Sequence, residues 1–228
     1  MTDLVTYRRD GAVATVTMDD GKANVMSEDM IRELGAALDQ AEVDRAVVVL
    51  TGRPRLFSAG YDTAMFGRGP EEIVRTLRAG GNLVHRLLSF PYPVVAACSG
   101  HAIAQGAFLL LATDVRFGVD GDFKLGLNEV AIGLTIPHYG VEVARHRLTP
   151  PGFDRAANTG GLFAPREARD LGFLDILVAD QAELTERATA EAERLAGVDM
   201  AAHLGTKQRV RAQALAAVRS GIDTEFGA

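Results

Sequence analysis

The stretch VVAACSGHAIAQGAFLLLATDVRFG, from Val94 to Gly118, decides how this 228-residue chain is read. Pro91 and Pro93 bracket the entry to an unbroken apolar run, Val94 to Ala97, of the kind a strand shows when both its faces are buried. Ser99-Gly100-His101 breaks the run, a short helix is predicted from Gln105 to Ala112, and a second strand from Asp114 to Gly118. Strand, helix and strand in succession mean an α/β core. Cys98, at the end of the first run, is the only cysteine, so an intrachain disulfide and a thiolate zinc site are both excluded. In that apolar setting it reads as a buried, inert thiol.

Outward from this segment the same alternation continues. Ala46 to Leu50 is another doubly buried strand, followed by a loop rich in Gly, Arg and Pro from Gly52 to Gly69 and a helix from Pro70 to Ser89. Ser27 is placed to cap a helix with Met30, Ile31, Leu34 and Leu38 on one face. Met1 to Met18 alternates like a strand pair, with Leu4 to Arg9 and Ala12 to Met18 forming a hairpin turned at Asp10-Gly11. From Tyr139 onward helical patterns dominate, with one strand-like run at Leu174 to Val178. The tail from Gln181 to Ser220 reads as two amphipathic helices split near Gly197-Val198-Asp199. The simplest division is a core over 1–180 and a helical C-terminal region over 181–228.

Composition narrows the function. The chain is 47% hydrophobic and 24% charged, with a formal charge of −6, which argues against a nucleic-acid binder. No apolar run approaches the length of a membrane span, and the first residues lack a basic-then-apolar signal, so the expectation is a cytoplasmic protein that neither spans nor enters a membrane. There is no G-x-G-x-x-G between strand and helix, no P-loop and no G-x-S-x-G elbow. His85, His101, His138, His146 and His203 have no metal-ligand spacing, so no metal is expected.

Three loops remain, each after an apolar strand. Leu56 to Asp62 is small-residue rich at Ser58-Ala59-Gly60, so backbone can approach a ligand there. Gly100 to Ala107 opens a helix, whose first N–H groups are unpaired and whose dipole favours negative charge. Leu125 to Gly133 carries one carboxylate, Glu129, among apolar neighbours. A lone glutamate is ordinarily a solvated one. Two backbone donors beside a carboxylate, however, are what enolate chemistry needs. The donors hold an oxygen that becomes negative, and the carboxylate moves a proton at the adjacent carbon.

These segments resemble those of the crotonase superfamily, the enoyl-CoA hydratases and isomerases. Phe57-Ser58-Ala59-Gly60-Tyr61-Asp62 is similar to its F-x-A-G-x-D element and Gly100 to Asp114 to its glycine-rich element. Leu127-Asn128-Glu129 is similar to its second catalytic loop, and Asn158 to Val178 to a further family stretch. The resemblance implies a spiral of strand–strand–helix units, two roughly perpendicular sheets, and a helical C-terminal region that builds a homotrimer or a dimer of trimers.

It also implies roles. The backbone N–H groups of Tyr61 and Gln105 would form an oxyanion hole for an acyl-CoA thioester; most relatives have glycine at the latter position. Glu129 would be the acid/base. Ala59, Gly60, Gly106, Phe108 and His138 would line the acyl site, and Lys22, Ala23 and Lys207 would meet coenzyme A, which is part of the substrate, so no separate cofactor is implied. Hydratases carry a second glutamate where this chain has Phe108, whereas mitochondrial-type Δ3,Δ2-enoyl-CoA isomerases are apolar there and share Gly126-Leu127-Asn128-Glu129. The resemblance therefore implies an enzyme of fatty acid metabolism that isomerises double bonds, with Glu129 as single proton shuttle. Two alternatives stay open: a hydratase (a lyase) or other crotonase-type reaction in which a non-standard partner such as Glu142 or an ordered water replaces the second glutamate, and a catalytically weak acyl-CoA-binding protein. Asp62 reads as a helix cap and His101 as a local packing residue.

Overall fold

Period-two alternation makes a hairpin of the first segment, because pairing puts one row of side chains inside and leaves the other in water. In the computed structural model, which describes residues 3–227, strand β1 (Val5–Asp10) pairs antiparallel with β2 (Val13–Met18) across Gly11, whose φ of 57° suits glycine. Met1, Thr2 and Ala228 lie outside the described residues. Helix α1 (Glu28–Val43) follows, and the Ser27 hydroxyl accepts from the Met30 N–H as the predicted cap.

Three strand–strand–helix units come next. They are β3 (Val47–Thr51), β4 (Arg55–Ser58) and α2 (Pro70–Ser89); β5 (Val94–Cys98), β6 (Gly100–Ile103) and α3 (Gln105–Leu111); then β7 (Val115–Val119), β8 (Leu125–Gly126) and α4 (His138–Arg147). Helix α5 (Pro150–Thr159), β9 (Leu162–Phe163), α6 (Pro165–Leu171) and β10 (Ile176–Val178) complete the sheets. The first strand of each unit joins a six-stranded sheet in the order β1-β2-β3-β5-β7-β10, parallel from β2 onward. The second joins a four-stranded sheet, β4-β6-β8-β9. The predicted α/β spiral of paired strands is therefore present. The small sheet was not predicted as strands, since its members are two to four residues long and too short to show a period.

Glycine sets how closely β4 and β6 approach within the small sheet. A Cβ on Gly100 would lie 1.9 Å from the Arg55 carbonyl oxygen, in the backbone of the paired strand. Gly100→Ala should cost about 1–3 kcal/mol through overpacking, read as a lowered urea midpoint at unchanged m-value; an unshifted midpoint would show that the strands can separate freely.

The large sheet is buried on both faces, as its unbroken apolar runs require. Val48 and Leu50 of β3 pack with α1 and α2, while Val47 and Val49 face Leu184, Ala188 and Ala192 of helix α7 (Gln181–Ala196). Helix α7 thus closes the core, and the predicted boundary at residue 180 does not separate two packing units. The predicted pair of tail helices is three, because α8 (Met200–Val210) and α9 (Ala212–Phe226) break at Arg211. No glycine or proline marks that break. Arg211 turns inward there, donating to the Leu88 and Thr113 carbonyls and pairing with Asp114 at 2.9 Å. Cys98 is buried and its thiol pKa is pushed up to about 12 by burial, in keeping with an inert side chain. Among the described residues no helix is long and apolar enough to cross a membrane.

Candidate active site

The switch of sheets after each strand leaves three loops on one side of the small sheet, and these loops build a cavity of about 170 Å³. Its walls include Ala59 and Tyr61 after β4, Ala104 and Phe108 at α3, and Asn128 and Glu129 after β8. Phe66, Ile132 and Leu134 form an apolar rim that remains partly open to water.

Glu129 sits at the head of a 3-10 turn, where its carbonyl accepts from the N–H groups of Ile132 and Leu134 at 3.0 and 2.9 Å. Gly160, at the end of α5, backs this turn so closely that a Cβ there would be 2.5 Å from the Ala131 nitrogen. The turn is therefore fixed from both sides. Glu129 is only 7% exposed, and its Oε2 has no hydrogen-bond partner. Burial among apolar neighbours raises its pKa to about 7, because the charged form loses its hydration. A carboxyl so poised can both take and give a proton near neutral pH.

Phe108 is fully buried, lies edge-on to Tyr139 at 5.9 Å, and fills the space that a Cβ on Gly140 would occupy. It brings no hydrogen-bonding group to the wall it shares with Glu129. Gly60 and Gly106 lie beneath the surface: a Cβ on Gly106 would reach 2.6 Å from the Ser58 oxygen, and one on Gly60 would touch Ala104. These close approaches bring the Tyr61 and Gln105 loops together. Neither backbone N–H has a hydrogen-bond partner among the described residues, Gln105 being the first residue of α3. Ala104 just before it holds φ 50°, a strained value for a residue with a side chain, and lines the cavity.

Other predicted residues lie elsewhere. Lys22 is exposed on the turn before Asn24, and the Ala23 carbonyl accepts from Ala59 N at 3.0 Å, tying that turn to the cavity loop. His138 points into a separate surface depression with Glu142, and Glu142 pairs with Arg145 at 3.5 Å, so it is not a second carboxylate beside Glu129. Lys207 requires correction. Its ammonium group is buried and donates to the Phe90 and Tyr92 carbonyls and to Asp114 at 2.8 Å, so its three protons are already engaged within the chain. Asp62 caps the turn after it by accepting from Ala64 N, and His101 accepts from Lys124 N.

Two further residues neighbour the cavity, and of these Glu225 escaped the sequence reading. Glu225, near the end of α9, lines its edge and accepts from the His138 N–H at 2.8 Å. Tyr139 lies behind the wall with its hydroxyl 2.7 Å from that of Tyr61. No motif marks Glu225, and Tyr139, which follows Pro137 with His138, reads from the sequence either as a helix-start residue or as part of the acyl pocket wall.

A spiral of strand–strand–helix units feeding two sheets, with a buried carboxyl in the cavity formed by their loops, is an α/β architecture of the crotonase type. Residues 8–226 match the model of the enoyl-CoA hydratase/isomerase family, and the chain belongs to that family. It is 34% identical over 192 residues to a probable enoyl-CoA hydratase of Bacillus subtilis, covering 82% of this chain and 74% of that one. It is 30% identical over 204 residues to the human mitochondrial enoyl-CoA delta isomerase 1, covering 87% and 67%. Among solved structures, an enoyl-CoA hydratase/isomerase family protein from Pseudomonas syringae superposes with a TM-score of 0.96 at 44% identity, covering 98% and 97% of the two chains.

Proposed function

We propose that this enzyme moves the double bond of an enoyl-CoA from C3 to C2, with Glu129 as its one proton carrier, a step of fatty acid metabolism. The observation that supports this most is the pairing on one cavity wall of a desolvated Glu129 with Phe108. Glu129 as carboxylate takes the proton from C2. The N–H groups of Tyr61 and Gln105 receive the charge that gathers on the thioester oxygen, each worth about 2.7–4 kcal/mol at the transition state. The protonated Glu129 then returns the proton at C4. Hydration would need a group to orient and deprotonate water, and the phenyl ring at 108 offers none. Lys22 on its exposed turn is the side chain we assign to the coenzyme A phosphates.

A hydratase reading would have to enlist Glu225, the other carboxylate at the cavity. That group is exposed and already accepts the first N–H of α4, where the helix dipole favours a full negative charge. Assays with 3-enoyl-CoA and 2-enoyl-CoA separate the two readings. Turnover of the first with little hydration of the second is expected; efficient hydration would overturn the isomerase assignment.

The same mechanism fixes a pH profile. Only the carboxylate form of Glu129 can begin the reaction, so kcat/KM should climb as pH passes through about 7 and level off above it. A flat profile between about pH 5.5 and 8.5 would mean that a different group starts the reaction.

A further inference from the structure

Gln105 carries a long polar side chain that a backbone donor does not need, and that side chain is fully buried. Its amide Nε2 donates to the Gly80 carbonyl in α2 at 3.0 Å, which leaves Oε1 to accept from the Tyr139 hydroxyl at 2.9 Å. Tyr139 has one proton and gives it to Gln105, so the 2.7 Å contact between the two phenols runs from the Tyr61 hydroxyl to Tyr139. The chain therefore runs from Tyr61 to Tyr139 to Gln105 to Gly80, the Tyr61 hydroxyl favouring Tyr139 at 2.7 Å over the Leu77 carbonyl at 3.4 Å. Its path is kept open by glycine: a Cβ on Gly80 would stand 1.9 Å from the Tyr61 hydroxyl oxygen. Tyr139 is itself held by Phe108 and by Phe226 at ring-centre distances of 5.9 and 6.3 Å.

Tyr61 and Gln105, whose side chains flank Tyr139 in this relay, are also the two residues whose main-chain N–H groups face the thioester in the proposed reaction. We infer that Tyr139 is a positioning residue, clamping Tyr61 and Gln105 so that their two backbone donors keep a fixed separation for the enolate oxygen. This inference rests on the enolate reading above. The clamp explains how glutamine is accommodated at position 105, since its side chain is directed into the relay. It also ties the donors to α2, α4 and α9, so the C-terminal helix acts on the site through Phe226. Donors held this way need no rearrangement as charge develops, which is the condition under which such hydrogen bonds accelerate a reaction.

Tyr139→Phe keeps the ring and removes the central hydroxyl. The readouts are turnover of 3-enoyl-CoA and exchange of the C2 deuterium of a saturated acyl-CoA into water, the latter requiring only enolate formation. We expect kcat and the exchange rate to fall together by about tenfold to a hundredfold, less than the loss of a whole donor, with KM changed by less than about threefold. Tyr61→Phe should give a similar fall, and the double variant should be no slower than the slower single one, as for a unit whose links fail together. Should Tyr139→Phe not fold, as judged by circular dichroism, Tyr61→Phe alone carries the comparison. Wild-type exchange with unchanged rates in the folded variants would overturn the clamp and leave the enolate reading standing, as would independent losses that multiply in the double variant. Wild type that neither exchanges C2 deuterium nor turns over enoyl-CoA would overturn both.

Discussion

Glu129→Gln is expected to lower the isomerisation rate by about a thousandfold to ten-thousandfold, near the upper end of what a positioned acid/base contributes, while making the protein more stable at alkaline pH. The two effects share one cause. Burial raises the folded-state pKa of Glu129 from 4.5 to about 7, so the folded chain holds this proton more tightly than the unfolded chain does. Below the unfolded value both states are protonated and the residue is neutral in its effect. Between the two values the folded state binds more protons, so stability falls as pH rises, and above about 7 the full penalty of a desolvated carboxylate is present. Removing the charge should then return about 1–3 kcal/mol at pH about 8, because each tenfold difference in proton affinity between the folded and unfolded chain is worth about 1.4 kcal/mol. Urea titrations of wild type and variant at pH about 4 and about 8 measure it: curves that coincide in acid and separate in base are expected. A variant that is inactive but no more stable at high pH would mean that Glu129 is solvated.

Asp114→Ala is expected to destabilise the fold by about 3–5 kcal/mol, since it strands buried positive charge. The carboxylate accepts from the Val94 N–H at 2.7 Å and pairs with both Lys207 and Arg211, each almost fully buried. Arg147 and Arg116 lie close enough for their charges to be felt by Arg211 or Lys207, and the pKa of Arg147 is lowered to about 9, first by burial. Without Asp114 this cluster has positive groups and too little to neutralise them. At roughly 2–4 °C per kcal/mol for a chain of this size, the melting point should drop by about 6–20 °C. Lys207→Met should cost less, because Asp114 keeps Arg211 as a partner. Equal losses for the two variants, or a small loss for Asp114→Ala, would show that the cluster is neutralised by other means. The pairing also anchors the start of α9, whose far end places Glu225 at the cavity edge and Phe226 against Tyr139.

What was legible in the sequence was local. Ser27 and Asp62 announce caps because their partners, Met30 and Ala64, are two or three residues away. The doubly buried strands announce themselves by unbroken apolar runs. Glu129 and the Tyr61 and Gln105 loops are set off by short motifs. The small sheet is not legible, because Gly100 to Ile103 and Leu125-Gly126 become strands only by pairing with distant segments. Tyr139 and Glu225 fail for the same reason. Tyr139 gains its meaning from Gln105, 34 residues away, and Glu225 from His138, 87 residues away. Lys207 shows the reverse failure: the family resemblance places it against coenzyme A, whereas Asp114, 93 residues earlier, engages it.

The central claim, one carboxylate moving one proton, is tested most directly by following that proton. A 3-enoyl-CoA dideuterated at C2, converted in a single turnover in ordinary water, should yield product carrying deuterium at C4, delivered there by an enclosed Glu129. Product whose C4 is filled entirely from solvent would contradict the account, because the proton taken from C2 would then not be the one that an enclosed Glu129 returns.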